Sequence, residues 1–182
     1  MAAPLRQEQH RRRIYEELGR GELADEPIRP GGLALTARAV ALAAWRPGAR
    51  VLDLGCGAGV ALGYLRGHCG LCASGLDPSA ALLGKGRSRD ADLPVILAVG
   101  EDLPFADASL DGILAECSLS VAADIDRVLR ECFRVLKSEG LLLIQDVFAR
   151  PPEGTAGLEN LPVRCCLAGA VSREEWLARL AA

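Results

Sequence analysis

The stretch Val51-Leu52-Asp53-Leu54-Gly55-Cys56-Gly57-Ala58-Gly59 constrains this chain more than any other. An apolar run suited to a strand enters a loop with three glycines, and Ala58–Arg66 then reads as a helix. Glycine tolerates positive φ and lets a ligand approach the backbone closely. In a parallel sheet, ligands bind at the carboxyl ends of the strands. The loop is not a dinucleotide fingerprint, because Val60 occupies the sixth position of G-x-G-x-x-G/A. It is not a phosphate loop either, because no Gly-Lys-Ser/Thr follows. Asp53, just before the first glycine, is a poor neighbour for a pyrophosphate and a good one for a cation.

The rest of the chain alternates in the same way. Strands are expected at Val51–Leu54, Leu71–Leu76, Pro94–Val99, Leu110–Ala115 and Leu141–Val147. A helix starts at Ser79–Leu83. A longer one spans Val121–Leu136, with Val121, Ile125, Val128, Leu129, Cys132 and Leu136 on one face. Apolar runs without strict alternation suit strands covered on both sides. The pattern predicts an α/β fold with a Rossmann-like, doubly wound parallel sheet in the order 3-2-1-4-5. Upstream, residues 5–20 are charged and helical, 21–32 form a loop, and Leu33–Trp45 reads as a largely buried helix. Downstream, Ser172 and Glu175 mark a capping box at the start of a last helix that carries Trp176 and Leu180. No linker divides the 182 residues, so one domain is expected: a helical cap over 1–48, a ligand-binding core over 49–148, and a loop and last helix over 149–182.

Composition narrows the function classes. Half of the residues are apolar, enough for a core, and the net charge of −3 gives no reason to expect nucleic acid or an anionic membrane as a partner. No apolar run reaches the length of a membrane span. The arginines near the N-terminus have no apolar stretch behind them, so a secretory signal is not expected. The chain reads as cytoplasmic. Seven cysteines are an odd number and suggest reduced thiols rather than a disulfide framework.

Four motifs in order resemble the class I S-adenosylmethionine-dependent methyltransferases, in the branch that includes ubiquinone and menaquinone C-methyltransferases and arsenite methyltransferases. The glycine loop resembles their D/E-x-G-x-G-x-G. Asp77 ends the second strand, as their ribose-binding acid does. Residues Glu101-Asp102-Leu103-Pro104-Phe105-Ala106-Asp107-Ala108-Ser109-Leu110-Asp111 resemble a third motif, and Leu129–Leu141 a fourth. The charge argument agrees, since S-adenosylmethionine carries a sulfonium, an ammonium and no phosphate.

The resemblance implies that Gly55, Cys56 and Gly57, with Asp53 beside them, wrap the methionine part of the cofactor. It implies that Asp77 holds the ribose and that Gly100 offers its backbone N–H to the adenine. Val99 departs from the family, which places an acid there. Glu101 either substitutes for that acid or is a solvated loop charge. Gly31 and Gly32, at a helix start, offer N–H groups to the methionine carboxylate, assisted by Thr36. Glu116 and Asp146 are the candidate general bases. Cys117 either faces the substrate or packs in the core.

Cys69-Gly70-Leu71-Cys72 has CxxC spacing but no second pair, so no metal site is expected. Cys165 and Cys166 either meet a soft substrate or form an unreactive loop. The function expected is methyl transfer to a small-molecule acceptor, with a thiol or metalloid nucleophile as one option. The alternative is a non-catalytic or degenerate cofactor-binding protein, or a fragment, of the same fold. Compared with the family, two strands are missing after the last helix. Strand five is therefore expected at a sheet edge, open to self-association or to a partner that covers it.

Overall fold

A strand without polar alternation has to be covered on both faces. In the computed structural model, β1 (Arg50–Leu54) is covered in this way, with Val51, Leu52, Asp53 and Leu54 all buried. The structure describes residues 27–150 and 166–181. The helix expected at 5–20, the first part of the loop at 21–32, and Cys165 lie outside them.

The elements follow in the order α1 (Gly32–Ala43), β1, α2 (Val60–Gly67), β2 (Cys72–Asp77), α3 (Ala80–Arg89), β3 (Val95–Leu97), β4 (Leu110–Glu116), α4 (Ile125–Val135), β5 (Leu136–Gln145), β6 (Phe148–Ala149), β7 (Val171–Ser172) and α5 (Arg173–Ala181). The sheet order is β3-β2-β1-β4-β5, and every neighbouring pair is parallel. This is the topology read from the alternation of strands and helices. β6 and β7 form a separate two-stranded parallel pair.

The period of two along the strands divides the core into two layers. Leu52, Leu54, Ile113 and Ala115 meet Val128, Cys132 and Trp176, from α4 and α5, on one face. Val51, Ala73 and Leu114 meet Ala39, Leu62 and Leu65, from α1 and α2, on the other.

Four local expectations are corrected. α1 is not largely buried: only Thr36 and Ala39 are, while Leu35 and Leu42 are exposed. The helix lies beside the sheet edge, and one narrow face suffices to cover it. α4 starts at Ile125 rather than Val121, because Asp124 accepts a hydrogen bond from the N–H of Arg127 and fixes the N-cap there. β5 begins at Leu136 rather than Leu141. Leu136 already pairs with Leu110, an irregularity follows, and regular pairing resumes at Leu141. The charged Lys137-Ser138-Glu139 therefore belongs to the strand and is exposed, with Lys137 paired to Asp111 at 2.6 Å. Only half of the capping box forms. Ser172 Oγ accepts from the N–H of Glu175 at 3.1 Å, but the Glu175 carboxylate pairs with Arg179.

Candidate functional site

The turn from β1 into α2 doubles back beneath β2. Gly55 has φ 77° and Gly57 φ 55°. The N–H groups of Gly55 and Cys56 both donate to Leu76 O, at 2.8 and 3.1 Å. The N–H of Gly57 donates to Asp77 Oδ2 at 2.9 Å. All three donors are thus used inside the protein. In loops that cradle phosphate these groups point at the anion instead, so this loop is not built for one. A Cβ on Gly55 would stand 2.5 Å from Ser118 Cβ, so β4's end and the loop meet only because the residue is glycine.

Acids dominate the strand ends around this loop. Asp53 is 2% exposed, and its Oδ2 has no hydrogen-bond partner. Burial, and next the Glu116 charge, push its carboxyl up to about 8; Asp77 adds to the rise and Arg29 opposes it. Asp77 Oδ1 accepts from the N–H of Ser79 at 2.8 Å, which ties the end of β2 to the N-cap of α3. Glu116, at the end of β4, pairs with Arg29 at 2.5 Å and accepts from Thr36 Oγ1 at 3.1 Å. Burial raises the Glu116 carboxyl, and Arg29 with Thr36 hold it down.

Most of the residues singled out in the sequence meet in one cleft at the carboxyl ends of β1, β2 and β4. Asp53, Gly55, Cys56, Gly57, Asp77, Gly100, Glu101, Glu116 and Cys117 all line it. Val99 lines it too, so an apolar side chain stands where the family places an acid. The Glu101 carboxylate is turned to the backbone, accepting from the N–H groups of Ala123 and Asp124 at 2.9 and 3.2 Å.

Gly31, Gly32, Thr36 and Asp146 are not among the cleft-lining residues. Thr36 faces Glu116 from α1. Asp146 accepts from the N–H groups of Leu119 and Ser120, and from Ser120 Oγ, which pins the β4 loop to the end of β5.

Two features of the cleft have no local signal in the sequence. Arg29 reaches Glu116 across 87 positions of sequence, and nothing local announces that pairing. Ser118 Oγ is buried without a partner, which only the fold reveals.

The cysteines separate cleanly. Cys117 and Cys166 both line the cleft. Cys117 has φ 51°, a left-handed backbone for a non-glycine residue, and such strain clusters at functional sites. Burial pushes its thiol up to about 12, aided by the Asp146 charge and Cys166. Cys132 is fully buried in the core beneath α4.

Comparison with known proteins adds to this geometry. Residues 52–144 match the family model described as a methyltransferase domain. The uncharacterized methyltransferase YodH of Bacillus subtilis strain 168 is 36% identical over 118 residues, which is 63% of this chain and 50% of YodH. A demethylmenaquinone methyltransferase of Thermotoga maritima is 39% identical over 104 residues, 57% of this chain and 44% of that protein. The chain spans about half the length of the curated relatives it matches. Among solved structures, the YcgJ protein of Bacillus subtilis superposes with a TM-score of 0.70 at 25% identity, covering 80% of this chain and 65% of that one.

Proposed function

The chain belongs to the methyltransferase domain family, and from that premise we propose that its cleft binds S-adenosylmethionine and that the protein transfers a methyl group to a small-molecule acceptor. One observation carries the reading. The cleft is lined by acids, one of them with an unpaired buried oxygen, while the N–H groups of its glycine loop are already used. Such a site repels a pyrophosphate and suits a ligand with ammonium and sulfonium charges. The group therefore fits the residues present.

In this reading Gly55, Cys56 and Gly57 give the close approach for the methionine end, with Asp53 facing its positive charge. Asp77 accepts from the ribose hydroxyls. A carboxylate takes about four hydrogen bonds, so those from Gly57 and Ser79 do not bar that role. Gly100 borders the adenine. Val99 gives no acceptor there, which weakens binding by ~1–3 kcal/mol relative to a relative with an acid.

The bound cofactor supplies an electrophilic methyl group with a neutral leaving group. The chain's own contribution is alignment of the acceptor and exclusion of water. Glu116 is committed to Arg29 and Asp146 to the β4 loop, so neither is well placed to take a proton. An acceptor that reacts through a lone pair, without losing a proton first, suits this site. The thiols of Cys117 and Cys166 beside the cleft also favour a soft acceptor.

Titration with S-adenosylhomocysteine, NAD and ATP tests the cofactor. Binding of the first alone is expected, and binding of NAD or ATP instead would reject the assignment. Transfer of labelled methyl to thiophenol but not to phenol is expected for a soft acceptor, and the reverse preference would reject it.

A further inference from the structure

Cys117 follows β4 and Cys166 precedes β7, yet both residues border the cleft. Both are reduced and half-buried. A second contact runs in step with them. Three residues beyond Cys117 is Ser120, and three beyond Cys166 is Gly169. A Cβ on Gly169 would collide with the Ser120 backbone oxygen, so the two stretches meet backbone to backbone there. Only glycine permits that approach.

One short piece of chain anchors both stretches. The N–H of Cys117 donates to Gln145 O at 2.7 Å, and Asp146 accepts from the N–H groups of Leu119 and Ser120. Phe148 and Ala149 pair with Val171 and Ser172, just beyond Gly169. Residues 145–149 therefore hold the loop that carries Cys117 and the segment that carries Cys166 on a common support. A non-glycine residue at φ 51° persists only where its surroundings fix it, and these bonds fix Cys117.

We infer that Cys117 and Cys166 form a reversible disulfide, made by a hydroperoxide and opened by a thiol reductant, that ties two walls of the cleft together and slows ligand entry. Burial keeps the proton on the Cys117 thiol, whose value is pushed up to about 12, so Cys166 reacts first. Its thiolate attacks one peroxide oxygen, the O–O bond breaks, and the leaving oxygen takes a proton and departs as water or alcohol. Cys166 is then a sulfenic acid. The Cys117 sulfur attacks that sulfur, the S–O bond breaks, and water leaves with the Cys117 proton. Two reductant thiols reverse the bridge and depart as their own disulfide. A cleft whose walls are tied admits ligand slowly, as a shut lid does.

The test treats the folded protein with stoichiometric hydrogen peroxide, blocks remaining thiols, and maps tryptic peptides by mass. Trypsin leaves Cys117 as the one cysteine of peptide 90–127, and Cys165 with Cys166 in peptide 165–173. These two peptides are expected to be joined, and dithiothreitol to separate them. The join should persist in Cys165→Ser and vanish in Cys166→Ser. In stopped-flow mixing, the oxidised wild type should take up S-adenosylhomocysteine at least tenfold more slowly than the reduced protein, with dithiothreitol restoring the rate. Peroxide should leave the rate of Cys166→Ser as it was before treatment.

Absence of the joined peptides would overturn the inference. So would a join that survives in Cys166→Ser and vanishes in Cys165→Ser, or a bridge within peptide 165–173 alone, since Cys117 and Cys166 would then not be the pair. Equal uptake rates in oxidised and reduced wild type would overturn the closing of the cleft. Failure of S-adenosylhomocysteine to bind the reduced protein would count against the cofactor reading, while the peptide map still decides the bridge.

Discussion

Asp53 is a buried carboxyl with acids for neighbours and one oxygen unpaired. The consequence has an unusual sign. Its folded value, raised to about 8, lies above its ordinary value of 3.8, so the folded chain binds a proton that the unfolded chain gives up. Its contribution to stability is present at low pH and falls as pH rises through that window, the reverse of a salt-bridged carboxylate. Asp53→Asn is expected to flatten the fall in melting temperature between pH 5 and pH 9, read by thermal unfolding. An equally steep fall in the variant would show that Asp53 is not the group responsible. A bound cation should draw the proton off, so affinity for S-adenosylhomocysteine, which keeps its ammonium, should rise with pH up to about 8.

Gly55 makes a second residue-scale case. Its φ of 77° and the 2.5 Å approach to Ser118 leave no room for a side chain. Gly55→Ala is expected to cost about 1–3 kcal/mol from backbone strain alone, measured by denaturant unfolding. A wild-type midpoint would mean that the loop can open away from Ser118.

At the scale of elements, parts of two family motifs form a clamp between a loop and a helix. Arg134, on α4, donates to Leu103 O and Phe105 O, both at 2.9 Å, and pairs with Glu131 and Asp107. Glu131 in turn accepts from the N–H of Leu103 at 2.8 Å, and Arg134 holds its carboxyl down at about 2. The Leu103-Pro104-Phe105 loop is thereby locked to the helix beneath it. Arg134→Ala is expected to lower the melting temperature and leave S-adenosylhomocysteine affinity nearly unchanged in the folded protein; lost affinity with unaltered melting would assign it to the site instead. Leu62, fully buried where α2 meets the sheet, gives the packing counterpart, and Leu62→Ala should cost about 2–5 kcal/mol.

The elements also show what a sequence reveals. The glycine loop, Asp77 and the strand order were legible because their signals are local: an apolar run, a glycine cluster, an acid at a strand end. The start of β5 was not, because Lys137-Ser138-Glu139 has the composition of a turn and lies between Leu136 and Leu141, whose pairings with Leu110 and Gly112 carry the strand through. The exposure of α1 was not, because an alanine-rich helix looks alike whether one face or several are covered. Gly31, Gly32 and Thr36 read as cleft residues from their position upstream, but the chain sends Arg29 across instead. That choice depends on Glu116, which stands on a distant strand.

At the scale of the molecule, five parallel strands bring residues 53, 55–57, 77, 100 and 116–118 to one end of the sheet, and the crossover between β1 and β4 opens the cleft there. This is where a doubly wound sheet binds its ligand. Among the described residues no helix is long and apolar enough to cross a membrane. The central claim is that this cleft takes S-adenosylmethionine through its acids. Calorimetric titration of wild-type protein and Asp77→Ala with S-adenosylhomocysteine tests it most directly. Saturable one-to-one binding by the wild type is expected, weakened at least tenfold in the variant while the variant stays folded by circular dichroism. Equal affinity in the two proteins, or none in either, would contradict the account.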